Sequence, residues 1–253
     1  MALLTLVICQ ISQKNTERTI AKKAATLCLI AQLANYFMTA QHTFIPALGY
    51  AWLTSLYDLT IQLTMPEKKF RSRLVDELSP LDGEQILEFG YGTGQNLILV
   101  HQRNARVHLT GVDIDPKARQ IALTKISKRN LSIQLDLYDG KTFPYPDAAF
   151  DKVVSSLVFH QLPRQTKLLC LREIHRVLKP TGKLVIGDWG KAKSPAMRTA
   201  FYLVQLLDGF ATTTDNVQGR LPDFISQAGF HSISEIGYIN TGLGTYSYYQ
   251  ATK

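Results

Sequence analysis

The sequence predicts an α/β fold with a doubly wound parallel sheet, preceded by a helical N-terminal extension. Residues 1–80 read as helices, whereas short apolar runs alternate with helical patterns from residue 84 onward. Strands that alternate with helices form parallel sheets with right-handed crossovers. Two more strands lie close together at the end of the chain, where they are expected to pair antiparallel. We therefore predict a helical extension or cap at 1–80 and one α/β domain at 81–253.

The individual elements follow from the spacing of apolar residues. The clearest helix of the extension is 66–78, with Leu74, Val75 and Leu78 on one face. The strands of the domain are predicted at 85–90, 106–113, 132–139, 150–159 and 182–189, and the helices between them at 96–102, 116–130 and 166–178. Helices at 194–210 and 221–230 and strands at 231–239 and 245–252 are predicted to follow. Ligands of such a sheet bind at the carboxyl ends of the strands, near the switch in strand order.

Composition limits the partners and the compartment. The formal net charge of +8 attracts anionic partners in general. The sequence has no nucleic-acid module and no basic run interleaved with aromatic residues, so we interpret the charge as a solvated surface and predict no nucleic-acid partner. Cys9, Cys28 and Cys170 fit no metal-ligand or redox spacing, so no metal is predicted. Sparse cysteines favour a reducing compartment and predict a cytoplasmic location.

The N-terminal extension contains an apolar run. Residues 24–57 contain no Asp, Glu, Lys or Arg, and residues 24–40 are mostly apolar but include Gln32 and Asn35. A spanning helix needs about 20 apolar residues, so we expect this run to pack on the protein or to lie at a membrane interface rather than to span a membrane. A peripheral membrane contact through this segment is the alternative to a purely cytoplasmic location. No signal peptide is predicted.

A glycine-rich stretch, "LEFGYGTGQN" at residues 87–96, follows the first strand of the domain. Its glycines, Gly90, Gly92 and Gly94, are spaced G-x-G-x-G, whereas the dinucleotide fingerprint is G-x-G-x-x-G. The third glycine of that fingerprint would fall at Gln95 or Leu97, depending on the register. The Gly-Lys-Ser/Thr of a phosphate loop is also absent. A tight strand-to-helix turn without a ligand is the structural alternative.

Three acidic residues near predicted strand ends indicate which ligand this loop holds. Asp113 ends the second strand, where a carboxylate can accept both hydroxyls of a ribose. Asp139 follows the third strand and could accept the exocyclic amine of adenine, and Glu88 could bind an ammonium group or backbone amides of the loop. The helix start after Gly94 favours a carboxylate. Together these groups suit an adenosine with an amino-acid tail.

The motifs resemble those of class I S-adenosylmethionine-dependent methyltransferases. The resemblance rests on "LEFGYGTG", "GVDIDPKARQIA", "DGKTFPYPDAAFDKVVSSLVFHQL" and "LREIHRVLKPTGKLVIGDW", in the order of that family. It implies a Rossmann-like seven-stranded sheet with an antiparallel last strand, and S-adenosyl-L-methionine as cofactor. It also implies that Glu88, Gly90, Gly92 and Gly94 hold the methionine part, Asp113 the ribose, and Asp139 with Gly140 the adenine.

Within this superfamily the chain is similar to the ubiquinone/menaquinone-biosynthesis methyltransferases and to related phospholipid-headgroup enzymes. The resemblance implies a small or lipid-like acceptor, such as a quinone or a phospholipid headgroup. Two departures from the family are Tyr91, where many members carry a small residue, and "VFHQL", where the quinone enzymes often have paired histidines. Tyr57 and Asp58 resemble a Tyr-Asp pair found before the first helix of this group.

His160 follows the fourth strand and is our candidate catalytic residue, for acceptor orientation or proton removal. A histidine that is only hydrogen-bonded at a strand end is an equal alternative. Asp188 and Trp189 are expected to face the same region, Trp189 as a packing residue. Arg71 and Arg73 could meet a carboxylate, although surface arginines of a helix are commoner, and Arg172 and Glu173 are expected on a solvated helix face.

The acceptor site is expected to form from residues 1–80 and 190–220, which are rich in apolar side chains. A packed lid with no preference for apolar acceptors fits these segments almost as well. Three functions are compatible with the motifs: a methyltransferase, a catalytically inactive cofactor-binding partner subunit, and a nicotinamide oxidoreductase, which the glycine spacing disfavours. The oligomeric state is not predicted.

Overall fold

The computed structural model describes residues 67–253. Predictions for Tyr57, Asp58 and the apolar run at 24–40 lie outside these residues. The described helices are α1 (Glu67–Leu78), α2 (Gln95–Arg103), α3 (Pro116–Ser127), α4 (Arg164–Val177), α5 (Pro195–Asp208), α6 (Phe210–Val217) and α7 (Leu221–Gln227), with a 3₁₀ turn at Phe159–Gln161. The strands are β1 (Gln85–Phe89), β2 (His108–Asp113), β3 (Gln134–Leu137), β4 (Phe150–Ser156), β5 (Leu178–Trp189), β6 (His231–Asn240) and β7 (Thr245–Thr252).

All seven strands form one sheet in the order β3-β2-β1-β4-β5-β7-β6. Strands β1 to β5 pair in parallel, whereas β7 pairs antiparallel with both β5 and β6. The expected seven-stranded sheet with an antiparallel last strand is therefore confirmed. The strand order reverses between β1 and β4, so the ligand crevice is expected beyond the carboxyl ends of these two central strands.

Two apolar layers cover the two faces of the sheet. One layer joins Ile86 of β1 to Leu74 of α1 and Leu97 of α2. The other joins Leu87 of β1 to Leu171 of α4. Alternate residues of a strand point to opposite faces, so neighbouring residues of β1 supply both layers. Leu74, Val75 and Leu78 of α1 are all buried, which confirms the predicted apolar face of this helix.

The sequence-based boundaries are wrong at two places near the crevice. The fourth strand ends at Ser156 rather than at residue 159, because Leu157 adopts a left-handed φ of 57° that a strand cannot continue. The helix predicted at 194–210 ends at Asp208, because Gly209 has a φ of 90° and interrupts it. The short helix α6 then begins at Phe210, and the sequence analysis did not anticipate it.

The last parallel strand is longer than predicted. β5 begins at Leu178 instead of residue 182 and passes through Thr181, which has a left-handed φ of 64°. Within residues 67–253, no helix combines the length and the apolar character needed to cross a bilayer.

Candidate active site

The glycine loop turns sharply at the end of β1. Gly90 has a φ of 71°, and a Cβ added there would lie 2.3 Å from Cγ2 of Val158. Gly92 has a φ of 50°, but nothing lies within 4 Å of where its Cβ would be. Gly90 is thus required by close packing, whereas the space around Gly92 is open for a ligand to approach the backbone.

Helix α2 begins directly after this loop. Its N-cap residue, Gly94, has a φ of 75° and provides no side-chain cap. Helix N-termini carry unsatisfied N–H groups and a partial positive charge, so they favour anions such as a carboxylate. The first turn of α2 therefore offers a site for a carboxylate beside the open space at Gly92.

Glu88 lies beneath the loop in a chain of buried polar contacts. Arg71 donates to Oδ1 of Asn96 at 2.8 Å, and Nδ2 of Asn96 donates to Oε1 of Glu88 at 2.7 Å. Oε2 of Glu88 is buried and has no hydrogen-bond partner in the described part of the chain. Burial raises the pKa of Glu88 to about 8, because a carboxylate without full hydrogen bonding is costly inside a protein. This carboxyl group is therefore suited to a cationic hydrogen-bond donor.

Asn96 was not among the residues predicted from the sequence, and Arg71 is largely buried although a surface position was the commoner expectation for it. The side chain of Arg71 is only 16% exposed and also pairs with Glu67 at 2.8 Å. Arg73 instead donates to the Ile236 carbonyl of β6 at 3.2 Å and stacks over the Tyr248 ring. The position of Asn96 in the first turn of α2, on the face toward β1, was the available signal.

Asp113 ends β2 and organises the neighbouring loop. Its Oδ2 accepts the Gly92 N–H at 2.8 Å, and its Oδ1 accepts the N–H groups of Ile114 and Asp115. Burial raises the pKa of Asp113, and the backbone hydrogen bonds oppose this effect. The carboxylate is thus fixed in orientation beside Gly92 by three backbone N–H groups.

Asp139 and Gly140 follow β3 at the edge of the same crevice. Oδ1 of Asp139 accepts the N–H groups of Thr142 and Lys141 at 3.0 and 2.8 Å. These hydrogen bonds lower the pKa of Asp139, which is exposed to solvent. Gly140 has a φ of 82°, and its Cβ position would lie 3.2 Å from Ile114. The carboxylate holds its own loop, and its exposure leaves it accessible to a ligand.

His160 lies in the 3₁₀ turn after β4 and is fully buried. Its Nδ1 is 2.7 Å from Oδ1 of Asp188, and its Nε2 is 3.4 Å from Oδ2 of Asp208, without the alignment of a hydrogen bond. Burial alone would lower the pKa of His160, but the carboxylates of Asp188 and Asp208 outweigh burial and raise the pKa to about 9. A ring that is protonated at neutral pH cannot accept a proton, so this geometry favours an orienting role over proton removal.

Asp188 and Trp189 end β5 beside this histidine. Oδ1 of Asp188 also accepts the Trp189 N–H at 2.7 Å. The Trp189 ring is buried and packs edge-on against Phe201 and Tyr246, as expected for a packing residue. The aromatic contacts and the shared carboxylate fix the end of β5 relative to His160.

Polar groups that no sequence pattern marked tie helix α6 to the end of β5 and to helix α4. Nδ2 of Asn216 donates to the Trp189 carbonyl at 3.0 Å. Asp215 forms an ion pair with Arg164 of α4, and buried Lys167 donates to the Thr212 carbonyl at 2.7 Å. No local pattern marks these pairs, because the partners lie on different helices.

The structure also shows the surroundings of Tyr91, which departs from the family pattern, and of Arg172 and Glu173. Tyr91 is buried and packs on β2, where a Cβ at Gly111 would lie 2.6 Å from its ring. This contact holds the glycine loop against β2. Arg172 is exposed, as expected, but Glu173 is half-buried and accepts the Phe143 N–H at 2.8 Å, so its assignment to a solvated face is wrong.

Comparisons with known proteins agree with this arrangement. Residues 87–186 match the family described as a methyltransferase domain. The demethylmenaquinone methyltransferase of Thermus thermophilus is 31% identical over 150 residues, which cover 58% of this chain and 66% of that protein. The phosphoethanolamine N-methyltransferase of Triticum aestivum is 28% identical over 160 residues, or 63% of this chain and 30% of that protein.

A solved structure shows the same fold. The S-adenosylmethionine-dependent methyltransferase of Aquifex aeolicus superposes with a TM-score of 0.57 at 19% identity, over 76% of this chain and 95% of that one. The sheet order, the glycine loop and the family match together define a class I S-adenosylmethionine-dependent methyltransferase. Residues 87–186 belong to the methyltransferase-domain family, whose fold implies S-adenosyl-L-methionine as cofactor, and the relatives of the chain include demethylmenaquinone methyltransferases. The family assignment rejects the nicotinamide oxidoreductase alternative.

Proposed function

We propose that this enzyme transfers the methyl group of S-adenosylmethionine to a small or lipid-like acceptor bound beyond the carboxyl ends of β4 and β5. The observation that carries the cofactor half of this proposal is the buried, unpartnered Oε2 of Glu88 next to an uncapped helix N-terminus and the open space at Gly92. A carboxyl group and a free helix N-terminus suit the ammonium and the carboxylate of an amino acid. The residues present therefore fit the methionine part of the cofactor.

The remaining cofactor contacts are assigned to the ends of β2 and β3. Asp113 is held by three backbone N–H groups and keeps lone pairs for the ribose hydroxyls. Exposed Asp139 and the adjacent Gly140 are assigned to the adenine. When bound, the cofactor supplies a methyl group activated by the positive sulfonium.

The protein must then hold the acceptor in line with this methyl group and exclude water. Buried His160, with Asp188, fixes the turn after β4 and the end of β5, where the acceptor is expected. We assign His160 as a positioning residue, because both of its ring nitrogens face carboxylates. An acceptor that must lose a proton needs a different base or water.

The acceptor class is supported by relatives and by the surface around the crevice. The Thermus relative is a demethylmenaquinone methyltransferase and the wheat relative a phosphoethanolamine N-methyltransferase. Helices α5 and α6 carry large apolar side chains that are about half exposed, namely Tyr202, Leu206, Leu207 and Phe210. An apolar surface of this kind suits an acceptor with an apolar body.

The test is calorimetric titration with S-adenosylmethionine and S-adenosylhomocysteine, with NAD as control. We expect micromolar binding of the first two and none of NAD. An acceptor screen with quinols and phospholipid headgroups then measures S-adenosylhomocysteine formation. Cofactor binding without any acceptor-dependent product would favour the inactive partner-subunit alternative over an enzyme.

We further propose a cytoplasmic location with peripheral membrane contact through residues 24–40, based on an apolar run that follows a polar, net basic stretch. Co-sedimentation of the full chain with anionic vesicles tests this contact. The double substitution Ile30→Asp/Leu33→Asp is expected to reduce sedimentation. Equal partitioning of both proteins would contradict the membrane contact.

A further inference from the structure

A cavity of about 750 Å³ opens between the loop that follows β5 and helices α5 and α6. This volume is within the range of cavities that hold small molecules. Asn216 of α6 donates to the Trp189 carbonyl at 3.0 Å, so the helix that forms one wall of the cavity is fixed to the end of β5. The cavity therefore lies next to the strand end that carries Asp188.

Cationic side chains line the cavity, and none of its lining residues within 67–253 is acidic. Lys191, Lys193 and Arg198 are among the lining residues. Lys193 forms an ion pair with Glu235 at 2.7 Å. Lys191 and Arg198 form no ion pair with any residue in the range 67–253, so they leave two positive charges available at the cavity.

The guanidinium of Arg198 is held in place but incompletely hydrogen-bonded. It stacks on the Tyr202 ring, with Cζ 4.0 Å from the ring centroid. Its Nη1 is buried and has no hydrogen-bond partner among the described residues. A buried N–H group without a partner is unfavourable, and an anion is the acceptor that a guanidinium binds best.

Gln205 presents a complementary group to the same cavity. It is 2% exposed, its Nε2 donates to Oγ1 of Thr213 at 3.2 Å, and its Oε1 is buried without a partner in the described part of the chain. Thr213 donates its own hydroxyl to the Gly209 carbonyl at 2.6 Å, so it must accept from Gln205. This fixes the amide orientation and leaves an oxygen that requires a donor.

We propose that this cavity is the acceptor site and that it takes an acceptor with an anionic group, a nearby hydroxyl or amine donor, and an apolar body. Arg198 and Lys191 bind the anionic group, and Gln205 accepts from the donor. Phe210 and Val217 line the cavity on the side of α6 and contact the apolar body. The inference rests on the proposed methyl transfer and narrows its acceptor to a charged class, which a neutral quinol does not satisfy.

The test uses small probes on the full chain saturated with S-adenosylhomocysteine. The soluble arm compares 4-hydroxybenzoate with phenol, which lacks the anion, and with benzoate, which lacks the donor. The lipid arm compares dihexanoyl phosphatidic acid with dihexanoylglycerol. We expect the anionic member of at least one arm to bind roughly tenfold or more tightly than its uncharged counterpart, the value of a charge-assisted hydrogen bond. The arm whose anionic probe binds more tightly shows whether the acceptor is a soluble molecule or a lipid.

Three variants test whether Arg198 and Lys191 cause the preference for the anionic probe. Arg198→Gln and Lys191→Gln are expected to remove the preference for the anionic probe, whereas Arg172→Gln, on the exposed face of α4, is expected to keep it. Lys191 is exposed, so its variant tests the proposal even if Arg198→Gln does not fold. S-adenosylhomocysteine affinity is expected to be the same in all four proteins.

The outcomes separate this inference from the proposed function. If the wild-type protein binds S-adenosylhomocysteine but shows no preference for anionic probes, the acceptor class is wrong and the cofactor assignment stands. A preference that persists in both Arg198→Gln and Lys191→Gln would place the anion elsewhere and overturn the site. If S-adenosylhomocysteine does not bind, the proposed function fails, and this inference fails with it.

Discussion

The two halves of the strand-end crevice are held together by different kinds of contact. At β1, β2 and β3, the carboxylates of Asp113 and Asp139 accept backbone N–H groups of their own or neighbouring loops. At β4 and β5, by contrast, buried charges join residues that are far apart in sequence, such as His160 and Asp188, or Lys167 and Asp215. Around Asp113 and Asp139 the first half is a backbone cradle, which lies beside the side-chain contacts of Glu88 with Asn96 and Arg71, and the second half is a network of side-chain charges.

This difference has consequences for stability and for binding. A backbone cradle depends on local conformation, so its weak points are glycines and single carboxylates. A buried charge network depends on every partner, because removing one leaves another charge without compensation. We therefore expect substitutions in the second half to affect folding and those in the first half to affect mainly cofactor affinity, with Gly90 as the exception.

The largest effect is expected for Asp188→Ala. This change leaves the protonated ring of His160 buried without its main partner, so we expect the free energy of unfolding to fall by about 3–5 kcal/mol. Urea denaturation at pH 7 measures the loss. The double variant Asp188→Asn/His160→Gln is the control and is expected to lose less, because it removes both charges. A loss below about 1 kcal/mol for Asp188→Ala would contradict a charged pair.

The same pair predicts a pH dependence. The folded pKa of His160, about 9, lies above its ordinary value of 6.5. Its contribution to stability is therefore complete below about pH 6.5 and is lost as the pH rises through 9. We expect the free energy of unfolding, measured across this pH range, to show a decrease that His160→Ala abolishes.

His160→Ala is also expected to lower turnover while sparing cofactor affinity. Unchanged turnover would contradict the positioning role of His160.

A smaller effect on folding is expected in the glycine loop. Gly90→Ala places a methyl group 2.3 Å from Val158 at a left-handed φ, so we expect about 2–4 kcal/mol of destabilisation. The matched variant Gly92→Ala has a left-handed φ but open space, and it is expected to cost only about 1 kcal/mol. Chemical denaturation compares the two. Val158→Ala should recover part of the Gly90→Ala loss, and equal costs at Gly90 and Gly92 would contradict the packing argument.

Measurements of cofactor affinity test the backbone cradle independently of folding. Asp113→Ala removes the acceptor for the ribose and for three N–H groups, so we expect roughly 100-fold or weaker binding of S-adenosylhomocysteine. Calorimetry measures the affinity, with exposed Asp223→Ala as the control. Unchanged affinity in Asp113→Ala would reject the ribose assignment.

The smallest effect is the release of a proton on cofactor binding. Because the pKa of Glu88 is about 8, this group is mostly protonated at pH 7 in the free protein. An incoming ammonium group favours the carboxylate, so binding at pH 7 is expected to release up to about one proton. Calorimetry in buffers of different ionisation enthalpy measures this number. Glu88→Gln should release none, and an identical release in both proteins would place the ammonium elsewhere.

The backbone cradle could be predicted from the sequence, and much of the charge network could not. The strand pattern alone positions the residues of the cradle, because each lies within a few residues of a strand end. These residues are Gly90, Gly92, Gly94, Asp113 and Asp139. The ring of His160 lies near Asp208 as well as Asp188, and Asp208 is the last residue of α5, far from His160 in the sequence. No periodicity marks this contact, because it depends on how α5 packs beside the turn after β4.

The sequence by itself determined the α/β class, the order of the strands along the chain and the glycine loop, because apolar periodicity and glycine spacing are local properties. Only the tertiary structure decided that Glu88 is buried behind Asn96 and Arg71, that the ring of His160 lies between the carboxylates of Asp188 and Asp208, and that Lys191 and Arg198 line one cavity with Gln205. Burial and electrostatic interaction depend on distances in space between residues that are far apart in the chain, and these distances are fixed only when the helices pack on the sheet.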